Sequence, residues 1–335
     1  MPIDPSAGAK NSRRLIAPEL LPALNLLPSF DFNDEVLRAI RAGASVVEGV
    51  KPPPLSPAQQ AVAREEQFVP GPPGAPKVRV LVYTPPGKVV EPRPAYLHMH
   101  GGGFMLGTPE INDSSNRTLA TELDCVVVSV DYRLAPETRY PGALEDCYAA
   151  LVWLHAHADR LGIDRSHIAI GGESAGGGHA AALAILARKR REVPICLQLL
   201  DSPMLDDRTG SHSDLHPYCG EFVWTPASNR FGWSSLLGME AGGPSVPAEA
   251  VPARVADLSG LPPAFIAVGA LDLFLEEDLE YARRLVRAGV PTELHVIPGA
   301  FHGFGAAGGD APQVQTCLRL RRDALAQVWA RRTAG

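Results

Sequence analysis

Nowhere in the 335 residues do 18 apolar side chains run together, so a membrane-spanning helix is excluded. The only apolar stretch near the N-terminus, Leu15 to Leu27, is broken by Pro18, Glu19 and Pro22, and no signal-peptide core is expected there. Cysteine is scarce: the five residues, 125, 147, 196, 219 and 317, are odd in number and lack any Cys-x-x-Cys spacing. Reduced thiols in a cytoplasmic protein are the expectation. Positive charge is not in excess either. The net charge is -6, and the basic residues form no stripe interleaved with aromatics, which argues against nucleic-acid binding. The densest basic run, Arg188 to Arg191, falls where a helix should end, and cations there complement the carbonyl end of the helix dipole.

What is present is ordinary globular composition, 45% hydrophobic and 20% charged, with enough length for one large α/β domain and a subsidiary piece. Residues 1 to about 60 carry proline and helical fragments such as Asp34 to Arg41, ending in a stiff connector at Pro52, Pro53, Pro54 and Pro57. Short β-like runs then recur at Glu66 to Val69, Val78 to Tyr83, Ala95 to His100, Cys125 to Val130, His167 to Ile170, Ile195 to Leu200, Ala264 to Val268 and Glu293 to Ile297. Helical patterns at Leu144 to His155, Ala175 to Arg190, Glu276 to Ala288 and Ala311 to Arg331 separate most of the later ones. Such alternation predicts a mainly parallel eight-stranded sheet covered on both faces, with the first two strands antiparallel across the turn residues 70–76. The span between Leu200 and Ala264 is longer than a strand-to-helix connection needs and clusters Phe222, Trp224, Phe231 and Trp233. We read about 205–250 as an insertion that, with residues 1–60, caps a catalytic domain of residues 61–335; the alternative is that its aromatics pack a satellite core.

Gly172-Glu-Ser-Ala-Gly176 lies between the run ending at Ile170 and the helix that follows. A strand that reverses into a helix this sharply strains its apex residue and needs small neighbours, and glycines at 171, 172, 176 and 177 supply them. Ser174 is therefore the candidate nucleophile. A serine hydroxyl needs a base and an orienting carboxylate, and with this turn they follow in the order acid, then histidine. His302, in the glycine-rich loop after the last strand, fits best among the histidines. Two aspartates compete as the acid; Asp272 is preferred because one helix and one strand lead from it to His302, and Asp201 stays as the alternative. His100-Gly-Gly-Gly-Phe104 follows a strand, so Gly102 and Gly103 can present bare amides to a developing oxyanion, with Ala175 as a third donor. Phe104, Phe222 and Trp224 are candidates for an apolar substrate pocket. His98 and His100 could be read as metal ligands, but no Cys/His set completes a tetrahedron, and no metal is expected.

Together, His100 to Phe104, Asp131-Tyr-Arg-Leu-Ala-Pro-Glu137, Gly172 to Gly177, Asp272 and His302-Gly-Phe304 resemble the hormone-sensitive lipase family of bacterial carboxylesterases over about residues 65–330. The resemblance implies an α/β-hydrolase sheet with a helical cap, hydrolysis of short- to medium-chain acyl esters without a cofactor, and structural bracing of the oxyanion loop by Asp131 and Arg133. This chain departs from the family's usual pattern in the residues after Asp272, which read Leu-Phe-Leu-Glu-Glu277, and in having Glu173 before the serine. An amidase or lactonase would use the same parts, and a non-catalytic small-molecule receptor on this fold would be expected to lack His302. The last strand, as a sheet edge, could extend across a homodimer.

Overall fold

The computed structural model describes residues 12–27, 30–43, 54–211, 215–307 and 309–330. Pro52 and Pro53 of the expected connector, and much of the 1–60 segment, lie outside them. The strands are β1 (Ala63–Val69), β2 (Val78–Thr84), β3 (Arg93–Met99), β4 (Val126–Asp131), β5 (Ile163–Glu173), β6 (Leu197–Asp201), β7 (Ala264–Gly269) and β8 (Thr292–Ile297). They form one sheet in the order β1-β2-β4-β3-β5-β6-β7-β8. β2 runs antiparallel to both β1 and β4, and every pairing from β4 to β8 is parallel.

The longer helices are α1 (Asp34–Arg41), α2 (Asp113–Leu123), α3 (Gly142–Ala156), α4 (Ala175–Arg190), α5 (Pro226–Leu237), α6 (Leu275–Arg287) and α7 (Pro312–Ala330). Because strand side chains alternate, each central strand feeds two cores. Val80, Leu97, Val128 and Ile170 pack with Leu151 of α3 and Leu183 of α4, while Tyr96, Val127, Ala169 and Phe265 pack with Leu325 and Trp329 of α7. A third cluster sits over the carboxyl ends of the strands, joining Leu37 of α1, Phe104, Trp224 and Trp233 and Leu236 of α5.

One of these helices, α2, was not expected, whereas α5 is of the helical kind that the resemblance implied for the cap. α2 buries only Asn116, Arg117 and Ala120, so it shows no broad apolar stripe; Arg117 ties it to the chain before β1 instead, donating to the carbonyls of Gln59 and Val62. α5 lies inside the expected insertion, started by Thr225, whose side chain accepts from Ser228 N. The basic run does end α4: Arg191 adopts a left-handed conformation, and Arg190 pairs with Glu145 while lying 4.2 Å over the Tyr148 ring. β8 occupies one edge of the sheet with most of its side chains half-exposed.

Candidate active site

β5 ends at Glu173 and α4 begins at Ala175, leaving Ser174 alone at the turn with φ 54° and ψ -121°. A residue with a Cβ is strained there, and the surrounding contacts must hold it. A Cβ on Gly176 would meet the Met99 carbonyl oxygen at 2.1 Å, which is why the elbow can approach β3 only with glycine at that point. Ser174 N donates to the Asp201 carbonyl at 2.9 Å, and Met204 N donates to the Ser174 carbonyl at 3.0 Å, so the end of β6 grips the apex from the other side.

Residues far apart in the chain meet this apex. Ser174 Oγ lies 2.9 Å from His302 Nε2, and His302 Nδ1 lies 2.8 Å from Asp272 Oδ2. With Nδ1 donating to the carboxylate, Nε2 is left as the acceptor for the serine hydroxyl. Asp272 is fully buried, and its other oxygen accepts from Phe274 N at 3.0 Å, which fixes the carboxylate plane. Phe274 also sets its ring edge-on to the imidazole, 5.0 Å between centroids. Asp201, the competing acid, points instead at Arg321 of α7, 2.9 Å away. Burial pushes its carboxyl up to about 6 against the opposing pull of Arg321.

The glycine loop follows β3 and curls beside the serine. Gly101 comes close enough that a Cβ on it would lie 3.5 Å from the Ser174 Cβ. Gly102 and Gly103 take φ values of 130° and 60°, and the Gly102 carbonyl accepts from Met105 N and Leu106 N, closing the turn. Ala175 is the first residue of α4, whose amide end carries partial positive charge. The bracing of this loop differs from the expectation. Asp131 pairs with Arg79 and Arg133 with Asp146; it is Tyr132, between them, whose hydroxyl donates to the His100 carbonyl at 2.6 Å while its ring stacks on His100. Tyr132 follows directly on the end of β4, and its contact with the His100 carbonyl comes from the loop beyond the strand.

The aromatic candidates separate. Trp224 stands between the loop and the imidazole: its ring is 6.3 Å from that of His302, and a Cβ on Gly103 would meet its Cη2 at 2.2 Å. Phe222 packs on Phe301, behind the histidine loop, at 6.3 Å. Phe104 is buried with its ring edge-on to His179 and Trp233, 4.9 Å from each, so it underpins the loop within the third apolar cluster. His98 does not pair with His100 around a common point. Its Nδ1 meets Ser129 Oγ at 2.8 Å and its Nε2 meets Glu173 Oε2 at 2.9 Å. Phe274 and Arg321 carry no local signal in the sequence, and Tyr132 lies in the quoted motif without a role assigned to it, because these roles come from partners on other elements.

Two buried histidines beneath the loop are held neutral. Burial lowers His100 to about 4 and, with the nearby His100 charge opposing a second one, lowers His179 to about 3. The unfolded chain takes up a proton at each near 6.5, whereas the folded chain refuses it until the pH is far lower, so each costs stability as pH falls below 6.5. His179→Leu removes one such proton. Relative to the parent, its stability is expected to rise by about 1.4 kcal/mol per pH unit between roughly pH 6 and 4. Thermal melts of both proteins across that range check this; parallel midpoints would show that His179 is not kept neutral.

Residues 96–306 match the alpha/beta hydrolase fold family. The chain is 34% identical over 302 residues to esterase LipI of Mycobacterium tuberculosis, covering 89% of this chain and 90% of that one. It is 35% identical over 296 residues to carboxylesterase NlhH of the same organism, covering 86% and 89%. Among solved structures, a bacterial heroin esterase superimposes with a TM-score of 0.82 at 37% identity, covering 94% of this chain and 98% of that one. No described helix is long and apolar enough to cross a membrane. A serine, an imidazole and a carboxylate hydrogen-bonded in series at the carboxyl end of this sheet, with relatives matched over nearly their whole length, make the chain a carboxylic ester hydrolase of the alpha/beta hydrolase fold family, among the bacterial carboxylesterases related to hormone-sensitive lipase.

Proposed function

We propose that Ser174 is the nucleophile of a two-step acyl transfer. Its Oγ attacks the ester carbonyl carbon as His302 Nε2 takes the proton, and Asp272 stabilises the imidazolium that forms. The carbonyl oxygen becomes an oxyanion held by the amides of Gly102, Gly103 and Ala175. Collapse expels the alcohol, which leaves with the proton from His302. A water then attacks the acyl-serine with His302 again as base, releasing the carboxylic acid and restoring the hydroxyl. The observation that carries this reading is the unbroken series of contacts from Ser174 through His302 to Asp272, at 2.9 and 2.8 Å, beside the glycine loop.

The substrates proposed are uncharged esters of short to medium acyl chains. Trp224, pressed between Gly103 and His302, supports an apolar and confined site, with Phe222 and Phe104 behind its walls. Residues 1–60 and about 205–250 are proposed to form the cap over a catalytic domain of residues 61–335. Phe32 N donates to Ser228 Oγ at 3.0 Å, Thr225 bonds to Asp31, and the Phe32 ring lies 5.4 Å from Trp224, contacts that tie the two segments together and support that assignment.

A fluorophosphonate probe is expected to label the protein once, on the peptide carrying Ser174, and to abolish turnover in proportion. Initial rates on p-nitrophenyl esters from acetate to palmitate are expected to peak among the shorter chains and to exceed those of the matching anilides. Labelling elsewhere, or none, would reject the serine mechanism; a palmitate optimum would reject the substrate class.

A further inference from the structure

We propose that His98, Glu173, Arg321 and Asp201 form a positioning device for the serine elbow, with the buried Arg321 of α7 clamping the ends of β5 and β6 at the spacing that Ser174 requires. The inference rests on the reading of Ser174 as nucleophile and extends it to residues that touch no substrate.

Glu173 and Asp201 are direct partners in the β5/β6 ladder, so two carboxylates stand side by side at the carboxyl end of adjacent strands. Alone they would repel and splay the strand ends. Arg321 lies between them and is only 8% exposed: its Nη2 donates to Glu173 Oε1 at 2.7 Å and its Nη1 to Asp201 Oδ2 at 2.9 Å. The planar fork meets one carboxylate with each nitrogen, a geometry that an ammonium cannot copy. The other Glu173 oxygen faces His98 on β3, and His98 reaches Ser129 on β4, so the chain of contacts runs from β4 through β3 and β5 to β6. Burial alone would raise the Glu173 carboxyl, but His98 and Arg321 outweigh it and hold it down to about 2, so it stays charged.

The mechanical consequence follows from the backbone. Ser174 is the next residue after Glu173, and its amide bonds to the carbonyl of Asp201 itself. Both residues clamped by Arg321 are therefore joined to the strained apex, one by a peptide bond and one by a hydrogen bond. His98 lies two residues before the His100 carbonyl that anchors the glycine loop, so the same set of contacts fixes the distance between the serine and that loop. Misplacing reacting groups by about 1 Å can cost on the order of 10²-fold in rate.

The test is Arg321→Met beside Arg321→Lys, with kcat and KM on a p-nitrophenyl butyrate series and the rate of fluorophosphonate labelling. Arg321→Met is expected to lower kcat by about 10²-fold and labelling in parallel, leaving KM within about threefold, because the apex moves while the pocket does not. Arg321→Lys is expected to recover about tenfold of that loss by restoring one of the two pairs. A folded Arg321→Met protein with kcat within twofold of the parent would overturn the proposal, as would a loss that tracks the unfolded fraction on warming. If Arg321→Met does not fold, Glu173→Gln decides: it keeps the side-chain shape and weakens the clamp, so kcat should fall about tenfold at unchanged KM, and an unchanged kcat rejects the device. Full turnover by Ser174→Ala would sink the nucleophile reading itself, whereas an essential Ser174 with an indifferent Arg321 would sink only this one.

Discussion

Replacing Ser174 by alanine is expected to lower kcat on p-nitrophenyl butyrate by about 10⁶-fold, the scale on which removing the nucleophile of a serine triad acts. The substitution takes away only the hydroxyl, whose partner is His302 at 2.9 Å, and leaves the loop amides and the imidazole in place. What survives should be the weak acceleration that binding and oxyanion contacts supply to an attacking water, roughly 10³–10⁴ over the uncatalysed rate. Folding should be little affected. The φ of 54° at position 174 is no worse for alanine than for serine, and both hydrogen bonds that hold the apex, to the Asp201 carbonyl and from Met204 N, are backbone ones. Melting within a few degrees of the parent, together with loss of fluorophosphonate labelling, would complete the result. Retained turnover in a verified Ser174→Ala preparation would end the acyl-serine mechanism.

The second large effect belongs to Gly102→Ala, expected to lower kcat by about 10²–10³-fold, as when one oxyanion donor is lost. At φ 130° an L side chain is disfavoured, and a Cβ there would sit 2.1 Å from the Leu106 carbonyl oxygen. That obstacle is backbone and cannot swing aside, so the turn must open and the amides at 102 and 103 lose their aim. Gly289→Ala is the control. Its φ is 78°, and nothing lies within 4 Å of the added carbon, so it carries the backbone penalty without the collision. That penalty is about 1–2 kcal/mol of stability, with kcat unchanged. If Gly102→Ala behaved like Gly289→Ala, the loop would not be the oxyanion site.

All eight strands were legible in the sequence: the central ones are buried on both faces and read as apolar runs of characteristic length, while the more exposed edge strands β1 and β8 read as short β-like runs between turns. Most boundaries shifted by a few residues, and β5 the most, running Ile163–Glu173 where His167 to Ile170 was expected; β3 stops at Met99, since the His100 carbonyl is taken by Tyr132 rather than by the sheet. α2 escaped notice because polar contacts of Arg117, and not an apolar stripe, seat it. α5 was foreseen only through the resemblance, which implied a helical cap; its own residues give little signal, since the buried ones include Ser228, Asn229 and Gly232. Phe104 looked like a pocket residue by its place after three glycines, yet its ring is committed to His179 and Trp233.

The choice between Asp272 and Asp201 shows where local reading stops. Asp201 ends β6, Asp272 lies three residues beyond β7, and both follow the serine, so chain order admits either. The sequence favoured Asp272, one helix and one strand before His302, and the structure agrees: the loop after β8 brings His302 to Asp272, while α7 places Arg321 against Asp201. By itself the sequence determined the elbow, the glycine loop and the parallel sheet, since these depend on backbone conformation and side-chain periodicity within a few residues. Tertiary structure alone determined which aromatic stands over the site and which cation meets Asp201 and Glu173, because Coulombic and hydrogen-bond partners are set by distance in space, and distance along the chain does not encode it.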